Sequence, residues 1–240
     1  MICRLSNLVG NFLLTRGGTT ALTTVHVRVQ RILCDIPAHV TVVAAAKGVP
    51  ATHLMEALEA GIHVVGQNHI SEARRMRPEI AAPAEWHFIG RLQPHAVRTS
   101  TLSLFDAIQS VDSLKLAERI DAVSARLGRC MPVFVEVNSG REPQKGGILP
   151  ESVESLVRDI ARLPNVEVMG LMTMAPLSAT PHGYRPWFAE TRQLFEHIRG
   201  LSISRVRMEH LSMGMSDSYE IAIDEGATMV RLGTILFGVR

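Results

Sequence analysis

The sequence predicts a single (β/α)8 barrel, and three observations predict it. Eight short apolar or β-branched runs alternate with segments of helical period from Val25 onward. The 240 residues come close to the ~250 typical of that barrel. No Gly-x-Gly-x-x-Gly follows any of the runs, as an open nucleotide-binding sheet would ordinarily require. Strands that alternate with helices pair in parallel through right-handed crossovers, and eight such units close a barrel.

Taken in order, a helix near residues 25–32 precedes the first strand. The strands are read at 41–46, 63–65, 86–89, 105–108, 132–137, 166–171, 207–211 and 229–232. Between the fourth and fifth, Asp112 or Ser113 offers an N-cap, Leu116, Ile120, Val123 and Leu127 repeat at helical spacing, and Gly128 ends the run. Between the fifth and sixth, Val153, Leu156, Val157 and Ile160 form an apolar stripe opened by Pro150 and stopped before Pro164. The longest loop is expected at 175–183. No repeat, low-complexity tract or Pro/Ser-rich linker marks a second domain, so one domain is expected over 25–240, behind an N-terminal extension, 1–24, that need not be ordered.

Composition narrows the function. Apolar residues make up 46 % and charged residues 20 %, with a net charge of +2, as in ordinary globular chains. The basic residues are scattered and aromatics are only 5 %, which argues against nucleic acid as a partner. Cys3, Cys34 and Cys130 show no CxxC spacing, so neither a disulfide framework nor a thiolate metal site is indicated. No apolar run reaches the ~18 residues of a membrane span, and a cytoplasmic protein is expected. One bias stands against that: Arg4, Arg16, Arg28 and Arg31 precede the first acidic residue, Asp35, a pattern shared with organelle-targeting segments.

Barrel enzymes place chemistry at the C-terminal ends of their strands. There the sequence puts Lys47, Asn68, His87, Asn138, Thr173, His210, Ser212 and Arg231. Lys47 follows an alanine run that would partly desolvate its amine and favour the neutral form that attacks a carbonyl. It can equally be a lysine that leaves the core and solvates. The stretches 212–216 and 231–234 supply hydroxyls and glycines after strands seven and eight, where barrels commonly bind phosphate. They also read as two glycine turns with capping serines. A lysine facing a phosphate cradle suggests pyridoxal phosphate.

These residues carry a resemblance over nearly the whole chain from Val25 to Gly238. The matching stretches are Ala45-Ala46-Lys47, Gly66-Gln67-Asn68, Trp86-His87-Phe88-Ile89-Gly90 with Leu92-Gln93, Val137-Asn138 through Lys145-Gly146-Gly147, Gly170-Leu171-Met172-Thr173-Met174, Leu211 through Ser216, and Val230-Arg231-Leu232-Gly233-Thr234 with Phe237-Gly238. Together they resemble the pyridoxal phosphate homeostasis proteins, stand-alone barrels similar to the N-terminal domain of alanine racemase. The resemblance implies pyridoxal 5′-phosphate as cofactor, a Schiff base on Lys47, and Arg231 facing the pyridine nitrogen. It implies Ser216, Gly233 and Thr234 as phosphate ligands, and Asn68, His87, Asn138 and Met213 as residues lining the pocket. Without it, His87 reads as a packed strand histidine and Asn138 as a helix cap. Three departures stand out: Gln67 where the family usually has glutamate at the mouth, Ala96 where it has a basic residue, and Ser218 where it has an acid.

The resemblance implies a monomeric carrier in intracellular cofactor homeostasis rather than an enzyme, with free amino acids and apo enzymes as further partners. An arginine opposite the ring nitrogen does not protonate it, which leaves the cofactor a poor electron sink. Racemases also take a second acid/base, a tyrosine, from another domain, whereas Tyr184 and Tyr219 are expected in loops or helices. The alternatives are an amino-acid racemase that uses Lys47, and a metal-dependent hydrolase built on His87, Glu209 and His210, which no HxH or HxxE spacing supports.

Overall fold

Each of the eight apolar runs becomes a strand because a parallel strand in a barrel is covered on both faces. The structure, a computed structural model, describes residues 12–15, 18–21, 24–178 and 180–238. Within the extension, β1 (Phe12–Thr15) and β2 (Gly18–Ala21) pair antiparallel; the rest of 1–23 lies outside the described residues. Then follow α1 (Thr24–Asp35), β3 (Thr41–Ala45), α2 (Ala51–Glu59), β4 (Val64–Gln67), α3 (Ile70–Met76), β5 (Glu85–Phe88), α4 (Thr99–Leu102), β6 (Ala107–Val111) and α5 (Leu114–Arg126). The chain continues with β7 (Met131–Val137), α6 (Val153–Ile160), β8 (Val166–Thr173), α7 (Arg185–Gly200), β9 (Val206–Ser212), α8 (Tyr219–Asp224), β10 (Met229–Leu232) and α9 (Thr234–Phe237).

The strands β3 to β10 pair in sequence order, and β10 returns to β3 to close a parallel barrel. In the closing pair Arg231 lies opposite Val43 and Leu232 opposite Ala44. Alternation along the strands divides the core in two. Val42, Ala44, Val65, Phe88 and Ile108 face the helices and pack with Leu54, Leu116, Ile120 and Val157. Val43, Val64, Ala107, Phe134, Met172 and Met229 face inward and fill the lumen. The lumen is therefore a packed plug, and side chains stacked above it face the mouth.

The helix signals hold, with local differences. Leu116, Ile120 and Val123 are buried on α5, and Gly128 follows its C-cap at φ +62°, a left-handed stop natural for glycine. Ser113 occupies the N-cap position, but its hydroxyl donates to Asp112 Oδ1 instead of capping the helix. The fourth barrel strand starts at Ala107 rather than 105, because the Phe105 N–H closes the turn of α4 on Leu102 O and the Asp106 carboxylate accepts from Trp86 N–H. The loop expected at 175–183 is shortened by a 3₁₀ turn, Pro181–Tyr184; Ala179 lies outside the described residues.

One close approach fixes the β8–β9 seam. A Cβ built on Gly170 would sit 1.7 Å from His210 O, a backbone atom that cannot yield. Gly170→Ala is expected to destabilise the fold by about 3 kcal/mol or more, at the upper end for overpacking. Gly200→Ala, with nothing within 4 Å of the added carbon, should lie between neutral and about 1 kcal/mol stabilising. Urea unfolding of both variants checks the contrast.

Candidate functional site

A cavity of about 840 Å³ opens at the C-terminal ends of the strands. Six of the nine residues that the resemblance implies for the cofactor site line it: Lys47, Asn68, Ser216, Arg231, Gly233 and Thr234. Lys47 sits in the turn after β3, held where Gly48 N–H donates to Glu72 Oε2 at 2.8 Å. Its side chain is exposed to the cavity, so the partial burial expected from the alanine run is not found; Ala46 takes the buried position instead. At the end of the neighbouring strand β10, Ser216 Oγ accepts from Gly233 N–H and Ile235 N–H, both at 3.3 Å. That pins the post-β9 loop to the start of α9.

The structure does not bring the other three to the cavity lining. His87 is 3 % exposed inside the barrel, between Glu85 and Gln109. Met213 is fully buried in the layer between strands and helices. Asn138 clamps its own loop rather than capping a helix: Nδ2 donates to Glu142 O at 2.9 Å, and Glu142 N–H donates to Oδ1 at 3.1 Å. Strand position tells which face a side chain takes, but not how deep it lies.

Arg231 forms the charged floor. Its guanidinium donates to Ser212 O and Oγ and to Thr173 O, at 3.0, 2.8 and 2.8 Å. Burial lowers its pKa to about 10, against the pull of the Glu136 carboxylate, so it stays charged at neutral pH. Glu136, on the inward face of β7, is 7 % exposed, and its carboxylate lies close under Gly146. Burial, reinforced by Asp112, raises its pKa to about 7 despite Arg231 and Arg91. Nothing in the sequence reading singled out Glu136, although it shares the inward face with Phe134 two residues earlier.

The departures from the family pattern take definite places. Gln67 is fully buried against the helix layer, its Nε2 donating to Ala46 O at 3.3 Å, so a glutamate there would not stand at the mouth. Ala96 sits in a 3₁₀ turn packed against the core. Ser218 is buried and accepts from Met215 N–H, while neighbouring Asp217 lines the cavity and accepts from Tyr184 OH at 2.7 Å. Tyr184 thus braces the rim through Asp217, a role the sequence did not disclose. Among the described residues no group of three or more His, Cys, Asp or Glu side chains is arranged to hold a metal ion.

Comparison with known proteins agrees with this geometry. The family model described as alanine racemase, N-terminal domain, matches residues 26–240. The pyridoxal phosphate homeostasis protein of Aquifex aeolicus is 39 % identical over 197 residues, covering 82 % of this chain and 85 % of that one. This chain belongs to the pyridoxal phosphate homeostasis proteins of the alanine racemase N-terminal domain family. Its counterpart in Pseudomonas aeruginosa is 37 % identical, over 85 % of this chain and 86 % of that one. Among solved structures, PipY of Synechococcus elongatus without PLP superposes with a TM-score of 0.84 at 33 % identity, covering 90 % of this chain and all of that one. PipY with PLP bound gives 0.82 at 32 %, with the same coverage. Alanine racemase of Corynebacterium glutamicum shares the fold, with a TM-score of 0.69 at 16 % identity over 90 % of this chain and 61 % of that one.

Glu136 gives the site a pH signature. Between its ordinary pKa of 4.5 and about 7, the folded chain keeps a proton that the unfolded chain gives up, so stability falls as pH rises through that window and levels off above it. Relative to wild type, Glu136→Gln should gain stability across that window, by at most ~1.4 kcal/mol per pH unit. Urea melts at pH 5 and pH 8 measure the difference. A gap between the two proteins that is the same at both pH values would contradict the burial of an ionised carboxylate.

Proposed function

We propose that this chain binds pyridoxal 5′-phosphate in the mouth cavity, holds it as a Schiff base on Lys47, and serves intracellular homeostasis of the cofactor. The observation that carries this reading is the placement of Lys47 and the Ser216–Gly233 cluster on the lining of one cavity, at the ends of the neighbouring strands β3 and β10, over a buried arginine. The volume is of the size that encloses small ligands, about 300–1,000 Å³. The names of the relatives and the PipY structure with PLP bound support the same reading.

Pyridoxal phosphate, when bound, supplies an aldehyde that condenses with a primary amine. Lys47 presents that amine to the cavity on a short turn. Ser216, Gly233 and Thr234 hold the phosphate through hydroxyl and backbone donors, and Arg231 faces the ring nitrogen. Asn68 borders the ring, while His87, Asn138 and Met213 support the site from the next layer. An arginine that keeps its proton at neutral pH gives none to the ring, which favours holding the cofactor over chemistry at an amino acid's α-carbon. The proposed unit is the barrel over 25–240, working in the cytoplasm as a monomer, with apo enzymes as recipients and free amino acids as competitors for the aldehyde. Among the described residues no helix is long and apolar enough to cross a membrane.

Borohydride reduction of the protein loaded with pyridoxal phosphate, followed by peptide mass spectrometry, should locate the adduct on Lys47. Lys47→Ala should abolish it while leaving the fold intact. An adduct on another lysine of the wild type would overturn the assignment. Ser216→Ala should weaken cofactor binding roughly tenfold, the low end for a charge-assisted hydrogen bond, as measured by equilibrium dialysis. Incubation with L-alanine in D₂O should show α-proton exchange far slower than ~1 s⁻¹, the lower edge of ordinary enzyme turnover. Exchange at that rate would favour a racemase.

A further inference from the structure

A file of polar side chains crosses the barrel interior from its N-terminal end to the cavity floor. Arg231 Nη1 donates to Ser212 Oγ at 2.8 Å, and Ser212 Oγ donates to Gln109 Oε1 at 2.8 Å. Gln109 Nε2 stands 2.7 Å from His87 Nδ1, and His87 Nε2 stands 3.0 Å from Glu85 Oε1. The four residues from Arg231 to His87 come from four strands, β10, β9, β6 and β5, and none is more than 5 % exposed. Glu85, at the start of β5, is more than half exposed at the other end.

The direction of this file follows from chemistry. A guanidinium can only donate, so Ser212 Oγ receives its hydrogen and sends its own to Gln109 Oε1. The amide oxygen is then an acceptor, so its NH₂ must donate to His87 Nδ1. That nitrogen is left without a hydrogen. His87 therefore carries its hydrogen on Nε2 and donates it to the Glu85 carboxylate, the hydrogen bond that holds Glu85 below the usual carboxylate range. Every link points the same way, from the cavity floor to the far end of the barrel. Hydrogen bonds aligned head to tail in a low-dielectric interior strengthen one another.

We propose that Ser212, Gln109 and His87 form a one-way positioning relay, anchored on Glu85, that fixes the Arg231 guanidinium at the cavity. It rests on the reading that Arg231 faces the bound cofactor. The relay gives His87 a task that a packed strand histidine would not have, and it gives Gln109 one that its position on a barrel strand does not require. Met229 and Phe134 border the file on its apolar side, Gln109 Nε2 lying 3.1 Å from Met229 Sδ and the rings of His87 and Phe134 6.1 Å apart. A small apolar side chain in place of Gln109 would leave His87 Nδ1 without a donor and the Ser212 hydroxyl hydrogen without an acceptor.

The test uses ¹⁵N-histidine-labelled full-length protein and pyridoxal phosphate as the probe. At neutral pH the ¹⁵N spectrum should show His87 with its hydrogen on Nε2, with or without the probe. Adding pyridoxal phosphate should shift the His87 ring signals, although His87 lies outside the cavity lining. Ser212→Ala should bind the probe about tenfold more weakly and lose that shift, while Ser212→Thr, which keeps the hydroxyl, should restore both. Gln109→Glu, whose carboxylate cannot donate, should place a hydrogen on His87 Nδ1; it serves as the second readout should Ser212→Ala fail to fold. A His87 hydrogen on Nδ1 in wild type, or a probe-induced shift that survives in Ser212→Ala, overturns the relay. Absence of probe binding to wild type overturns the functional reading instead, and the tautomer measurement still decides the relay.

Discussion

Everything at the mouth depends on the pairing of β10 with β3. In that register Arg231 lies beside Val43 on the inward face, and the chain beyond it brings Gly233 and Thr234 to the turn that carries Lys47. A slip of one residue would turn Arg231 toward the helices, where no Ser212 or Thr173 acceptor awaits it, and would bury an unpaired charge. Hydrophobic parity prevents this. Met229 belongs to the lumen plug and Val230 to the helix-facing layer, so the strand has one comfortable setting.

The lumen is built in two registers of chemistry. Its lower part is an apolar plug around Phe134 with the His87–Gln109 file running beside it, while the face toward the cavity carries Glu136 and Arg231. An apolar fill would be the simpler way to stabilise a barrel, because a buried ion must be offset by partners placed with care. Arg231 meets that demand with three acceptors, whereas Glu136 meets it only in part, and its pKa near 7 records the shortfall. Some stability is given up at the floor of the cavity.

How much of this was legible in the sequence follows from the same parity. Strands covered on both faces write themselves as apolar runs, so all eight could be read. Residues just past the strand ends, Lys47, Ser216 and Gly233, were legible too, because position in the fold determines their direction. Depth within the barrel was not, which is why His87 was expected at the cavity and lies beneath it. Glu136 and Gln109 were within reach, since each alternates with neighbours in the helix-facing core, but a single polar residue inside an apolar strand carries no mark of its partner. Gln67 shows the converse: it lies next to Asn68 in sequence but on the opposite face of β4 from the lumen, so its neighbour's role says nothing of its own.

The closing strand is also the last barrel strand the ribosome makes. Until β10 emerges, β3 and β9 are left as unpaired edges, one carrying Lys47 just beyond it and the other leading into Ser216. A nascent chain therefore holds Lys47 and Ser216 before it holds the Arg231 and Gly233 that complete the cavity lining. The cavity is thus completed only when the barrel closes, and a polypeptide abandoned midway carries half of its lining with no floor beneath it.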